Sequence, residues 1–236
     1  MRIGLIQTRG IGDIIIALPI ADYFLQRGDE VHWPIGEQFV RIFQPVKPEV
    51  NFIPVPTVPE TGYFYRTPIA LLSDLRCDRI VTLYSSMRSN PAVINQPLSA
   101  ALKFDEYKYA IAGVPFAQKW GLRIQRNVQR EANLQQRLNI TRPYICVHRQ
   151  GSKFDCNINI PAQWRDQYQI VEISEITETP FDWITTLEQA SKLLLIDSCF
   201  SNLVDQLNIS VEKYLLLRST MANTPVLKNG WNFVGI

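Results

Sequence analysis

The sequence predicts an α/β protein of two doubly wound domains facing a central cleft. Short apolar runs alternate with helix-patterned segments over residues 2–83 and again over residues 144–217. A basic stretch, Ala117 to Leu138, separates the two series. Each series opens on an apolar run followed by a loop that contains glycine. Strands alternating with helices call for mostly parallel sheets covered on both faces. Two such sheets facing each other put both sets of strand carboxyl ends at one cleft, where ligands bind in sheets of this kind.

Composition agrees with this and narrows the class. A hydrophobic fraction of 46% with 19% charged residues belongs to a folded chain, not a disordered one. The 236 residues suffice for one large or two small domains and a substantial core. A formal charge of +2 gives no reason to expect a polyanion-coating protein.

Taken in order, Arg2 to Gln7 is a short strand, and the turn Thr8-Arg9-Gly10-Ile11-Gly12-Asp13 follows it. Ile14, Leu18, Ala21 and Leu25 then recur at helical spacing until Arg27-Gly28, a helix stop. Pro19 should kink this helix or end its first, irregular turns. Glu30 to Trp33 is a second strand, Glu37 to Phe43 a short helix, and Val50 to Val55 a strand bounded by prolines. Thr67 to Leu75 is helical, and Arg79 to Leu83 a buried strand. Ser85 to Ala112, with Asn90-Pro91 and Gln96-Pro97, reads as loop plus a short helix.

Lys119, Arg123, Arg126, Arg130 and Arg137 stand against the single acid Glu131 in the separating stretch. Read as one helix, Arg123, Arg126, Arg130 and Arg137 line one face. Arg123, Arg126 and Arg130 are therefore a candidate contact for an anionic acceptor or a membrane surface, against the plainer account of a solvated face. This helix closes the first domain, giving domains 1–138 and 139–236. In the second, Tyr144 to His148 is a strand, followed by the loop Arg149-Gln150-Gly151-Ser152-Lys153. A short helix lies within Ile158 to Gln167, a strand over Gln169 to Ile173, and a helix over Trp183 to Ala190. Leu193 to Ile196 is a buried strand, Ser201 to Leu207 a helix, and Lys213 to Leu217 a further strand.

Several chemistries are excluded. The four cysteines, at 77, 146, 156 and 199, have no close spacing, and with only His32 and His148 no local zinc motif can be assembled. No Asp-x-Asp occurs. No secretory signal is present, and the run Ile14 to Ala21 is far too short to span a bilayer. A soluble cytoplasmic protein with reduced thiols is expected.

Three loops at strand ends carry groups that a phosphate or a reacting hydroxyl would use. In the first, Gly10 and Gly12 allow close backbone approach. Asp13 is either a helix N-cap or a carboxylate able to act as general base. The second offers Arg149, Gly151, Ser152 and Lys153, an anion cradle without Walker spacing. The third is Asp197-Ser198-Cys199-Phe200-Ser201-Asn202, where a helix N-terminus and a hydroxyl could hold a diphosphate or where Asp197 or Ser198 simply caps the helix.

These residues carry a resemblance. Arg2 through Asp13, with Leu18-Pro19 beyond, resembles the start of heptosyltransferase-type glycosyltransferases of family 9. Leu193-Leu-Leu-Ile-Asp197-Ser198 is similar to that family's Asp-Ser/Thr-Gly-x-x-His motif, with Cys199 at the glycine and Asn202 at the histidine. Tyr144 to Lys153 looks like the strand and glycine loop that open the family's C-terminal domain. The resemblance implies a GT-B fold of two Rossmann-like domains, the N-terminal one on the acceptor side and the C-terminal one binding the donor nucleotide. It implies an inverting transfer from a nucleotide-sugar to a hydroxyl of a glycan or glycolipid, with no metal and no cofactor beyond the donor. Asp13 matches the proposed base. Gly12, Arg149, Gly151, Ser152, Lys153, Asp197, Ser198 and Asn202 fall on the donor side. Two other readings stay open: a non-catalytic nucleotide-sugar binder of the same fold, motivated by Cys199 and Asn202, and an enzyme glycosylating nucleic acid, motivated by the basic stretch.

Overall fold

The structure is a computed structural model that describes residues 1–56, 64–84, 96–151, 154–217, 224–228 and 230–235. The chain divides into two compact units, residues 1–125 and 126–236.

The first unit runs β1 (Arg2–Ile6), α1 (Ile11–Gln26), β2 (Glu30–Gly36), α2 (Glu37–Phe43), β3 (Asn51–Val55), α3 (Arg66–Asp74), β4 (Arg79–Thr82), α4 (Gln96–Ala101) and α5 (Phe104–Ala112). Its sheet has the order β3-β2-β1-β4 with every pairing parallel. From β1 the chain steps outward to β2 and β3, then returns past β1 to β4. Right-handed crossovers therefore put α1 and α2 on one face and α3 on the other. Leu72 of α3 lies against β1 at Gly4, where a Cβ would stand 2.7 Å from the leucine Cδ1. Helix α1 is buried nearly all round, from Ile14 to Ala21 without interruption. It continues through Pro19, which forfeits one ladder hydrogen bond without ending the helix. Two buried ion pairs tie later segments to this frame. Lys47 pairs with Asp22 and donates to the Arg123 carbonyl at 2.8 Å, and Lys119 pairs with Asp105 at 2.8 Å.

Two stretches differ from the sequence reading. Residues 96–112 form α4 and α5 where loop and one short helix were expected; the Asn90-Pro91 pair lies outside the described residues. Residues 117–138 are not one helix: a 3-10 turn, Phe116–Gly121, is followed by a non-helical link and then by α6 (Val128–Leu138). The Asn127 side chain accepts from the Arg130 amide at 3.0 Å and starts α6 there. Arg123 and Arg126 thus precede the helix, and the expected arginine stripe does not form.

The second unit continues with β5 (Tyr144–His148), a small antiparallel hairpin of β6 (Gln150–Gly151) and β7 (Phe154–Asp155), α7 (Ala162–Gln167) and β8 (Gln169–Glu172). A 3-10 turn, Pro180–Trp183, leads into α8 (Ile184–Glu188), β9 (Lys192–Ile196), α9 (Cys199–Gln206), β10 (Glu212–Leu217) and β11 (Trp231–Gly235). The order is β11-β10-β9-β5-β8, again all parallel. By the same handedness argument α7 covers one face and α8 and α9 the other. The two cores agree: Val147, Ile158, Ile160 and Leu194 on one side, and Trp183, Leu187, Leu195, Phe200 and Val204 on the other. Helix α6 joins the second core through Leu134, so the division falls at 125/126 and not at 138/139. Strand β11 was not anticipated from the sequence. Among the described residues no helix is long and apolar enough to cross a membrane.

Candidate functional site

Open parallel sheets bind ligands beyond strand carboxyl ends, where the strand order reverses. That reversal lies between β1 and β4 in the first unit and between β5 and β9 in the second. Each carries a polar cluster.

At the first, β1 ends and the chain turns through Gly10, whose φ of 82° is a left-handed value that glycine accepts freely. The Ile14 amide bonds the Gly10 carbonyl at 2.9 Å and opens α1. Asp13 therefore lies inside the first turn and does not cap the helix; Gly10 stands at the cap, without a side-chain bond. A carboxylate in a first turn is favoured by the helix dipole. Its Oδ1 is 3.1 Å from the Lys108 ammonium, and its Oδ2 lies back over Gly10, 2.8 Å from where a Cβ would be. Lys108 is buried, whereas the Asp13 side chain is 43% exposed. The ammonium also donates to Gln7 Oε1 at 2.7 Å and to the Leu83 carbonyl at 3.4 Å. Tyr84, just past β4, accepts from the Thr8 amide at 3.0 Å and shares a 3.1 Å hydrogen bond with the Thr8 hydroxyl. Burial pushes the Tyr84 phenol above its ordinary value, against the lowering effect of both Thr8 bonds, so it stays protonated at neutral pH. The Arg9 guanidinium stacks on Phe64, 3.7 Å from the ring centre. Gly12 is the second residue of α1, where backbone amides have no partner within the helix.

At the second reversal, Ser198 caps α9. Its hydroxyl accepts from the Phe200 amide at 3.2 Å, and the Ser201 hydroxyl answers by accepting from the Ser198 amide at 2.9 Å. The same Ser198 hydroxyl is 3.0 Å from Nδ1 of His148, the last residue of β5, so one hydrogen bond spans the reversal. The imidazole is buried edge-on against Phe200, and burial lowers its pKa to about 4. It is neutral at physiological pH, able to donate from one nitrogen and accept at the other. Asn202 is buried, with Nδ2 donating to the Ser198 carbonyl at 2.9 Å and Oδ1 without a hydrogen-bond partner among the described residues. Asp197 precedes the cap and is half-buried. Burial drives the Cys199 thiol up to about 12, which removes thiolate chemistry at this turn.

The structure thus brings Asp197, Ser198 and Asn202 together at the α9 N-terminus and seats Asp13 and Gly12 on the first turn of α1. Arg149 bonds Glu172 at 2.6 Å, beside the Gly151 hairpin; Ser152 and Lys153 lie outside the described residues. Arg126 pairs with Glu131 and Glu188, and Arg130 with Asp182 and Glu178, so these two guanidinium groups are held by carboxylates of the second unit. Lys108 and His148 are the members that sequence reading missed. Among the described residues no group of His, Cys, Asp or Glu could hold a metal ion.

No family model matches the chain, and no curated protein matches it at the sequence level. Solved structures do. The chain is similar to the iron-containing dodecameric glycosyltransferase TibC of enterotoxigenic E. coli, at 15% identity and TM-score 0.58, over 99% of this chain and 62% of that one. A family 9 glycosyltransferase of Veillonella parvula aligns at 12% identity and TM-score 0.65, over 100% of this chain and 86% of its own. The ADP-heptose lps heptosyltransferase II of E. coli aligns at 15% identity and TM-score 0.64, over 99% and 90%. The chain spans less than two thirds of the length of TibC. At these identities the likeness shows the fold, two α/β units of the heptosyltransferase type, in agreement with the resemblance read from the sequence.

Proposed function

We propose that the protein is a glycosyltransferase that moves a sugar from a nucleotide-sugar to an acceptor hydroxyl with inversion and without a metal. The observation that carries this reading is the Asp13 carboxylate at the first strand-order reversal, half-exposed and held at one oxygen. The likeness to heptosyltransferases, one of them solved with ADP and a fluorinated ADP-heptose, supports the donor class. In this mechanism Asp13 removes the acceptor proton as the hydroxyl attacks the anomeric carbon, and the bond to the diphosphate breaks on the opposite side. In the second unit the Ser198 hydroxyl and the positive end of the α9 dipole suit the charge that develops on a departing diphosphate. A positioned base contributes on the order of 10²–10⁴ in rate.

The test begins with a thermal-shift panel of nucleoside diphosphates and sugar nucleotides, with magnesium or with EDTA. A nucleotide at 100 times its dissociation constant stabilises by roughly 2.7 kcal/mol, and the shift should survive EDTA. With the donor in hand, Asp13→Ala should abolish transfer while leaving donor affinity within a few-fold. Turnover retained in that variant removes Asp13 from the mechanism. A donor-dependent shift without turnover on any acceptor would instead favour a nucleotide-sugar binder. The buried Asn202, its amide committed to the Ser198 carbonyl, is the feature that favours that second reading.

A further inference from the structure

We infer that Lys108 is the positioning residue for Asp13: its buried ammonium anchors one carboxylate oxygen, so that the other is presented in a single orientation. The inference rests on the reading of Asp13 as the base, and it adds a residue from a distant helix to that site.

The argument starts from an imbalance. The Lys108 side chain is 2% exposed, whereas its partner Asp13 is 43% exposed. Burying an ammonium is costly, and a buried ion pair is often no better for stability than apolar side chains of the same volume. A half-hydrated carboxylate offsets that cost poorly. The other two acceptors, Gln7 Oε1 and the Leu83 carbonyl, are neutral. As a stabilising device the arrangement is therefore inefficient. As an aiming device it is well made. A carboxylate that solvent reaches exchanges rotamers freely unless something fixes it. Here the ammonium holds Oδ1 from one side, while Oδ2 rests where a side chain at residue 10 would stand, 2.8 Å from the position of a Cβ on Gly10.

The anchor is itself held. Asp105, Lys108, Tyr109 and Ala112 form the buried face of α5, a spacing that puts all four on one side of the helix. Asp105 pairs with Lys119 at 2.8 Å, and the Tyr109 hydroxyl donates to the Ile16 carbonyl of α1 at 2.9 Å. The Lys108 ammonium lies 5.6 Å from the Tyr107 ring centre and 5.9 Å from that of Tyr84. Helix α5 is thus bonded to the same helix that carries Asp13, and Lys108 bridges them at the strand ends.

The experiment reads orientation directly, with no substrate. Three-bond couplings from Asp13 Cγ to the backbone nitrogen and carbonyl report the χ1 rotamer. They should show one rotamer in the wild type, rotamer averaging in Lys108→Met, and one rotamer again in Lys108→Arg. Lys108→Gln serves as a second neutral variant should Lys108→Met not fold. Couplings unchanged in the folded neutral variant overturn the inference. Turnover is then read with whichever sugar nucleotide the wild type consumes. Lys108→Met should lower kcat by about 10²-fold, the scale expected for a misplaced reacting group, with KM for the donor within twofold and partial recovery in Lys108→Arg. A wild-type kcat in Lys108→Met also overturns the inference. Full turnover in Asp13→Asn, or no turnover of any probe by the wild type, counts against the base reading, while the couplings still decide whether Lys108 fixes the carboxylate.

Discussion

His148 ends β5 with its imidazole buried, one nitrogen against the Ser198 hydroxyl and one ring edge toward Phe200. Burial lowers its pKa from 6.5 to about 4, so between those values the unfolded chain binds a proton that the folded chain refuses. Stability from this residue is thus complete above the unfolded pKa and is lost as pH falls toward the folded one. Between pH 7 and pH 5 the wild type should lose about 2 kcal/mol more than His148→Asn, measured by urea unfolding at both values. Equal losses in the two proteins would mean that the imidazole accepts its proton in place. The two residues that sequence reading missed at the strand ends share a cause. Lys108 meets Gln7 across 101 residues of chain and His148 meets Ser198 across 50, so no local pattern marks either. Ser198 was legible as a helix cap because near neighbours set a cap; Asp13, read as cap or base, is not the cap, because the left-handed φ of Gly10 starts α1 three residues earlier.

Helix α6 shows the same limit one level up. Its charges read as a basic face, yet they are what fastens it to the second unit. Glu131 is buried and accepts from Arg126 at 3.0 and 2.6 Å and from the Thr185 amide at 3.0 Å. Burial would raise the Glu131 carboxyl, and the Arg126 and Thr185 bonds outweigh it, holding the group below its usual value. The two ends of this pair are unequal, because the arginine can reach water and the carboxylate cannot. Arg126→Ala should therefore cost about 3–5 kcal/mol, the range for stranding a buried charge. Glu131→Gln loses one acceptor but buries no charge, and Arg126 keeps Glu188 and water, so it should cost less. Denaturant midpoints of the two variants check the order. Strands β1 to β5 and β8 to β10 were readable as short apolar runs between turn residues. Strand β11 has Asn232 and a half-exposed Phe233 and so lacks that signature; it is a strand because β10 offers it a parallel edge.

For the whole chain, where the helix belongs decides where it can be divided. A fragment of residues 126–236 retains α6 with Leu134 and Glu131, whereas residues 139–236 lack both and leave Thr185, Asp182 and part of the core uncovered. The first should give a cooperative urea transition and dispersed amide resonances, and the second should give neither. Two-unit architecture was legible because each unit repeats the alternation of strand and helix. The dividing point was not, because it depends on which side of the link each charge finds its partner. The clasp made by Asp22, Lys47 and Arg123 closes late in synthesis. The Lys47 ammonium waits for a carbonyl 76 residues further along, an interval that synthesis covers in roughly 4–15 s. Throughout that time α5 and the 3-10 turn that pack on α1 are still being made or have only just emerged. The nascent chain therefore presents its most apolar helix incompletely covered for seconds, and the order of translation fixes when that surface disappears.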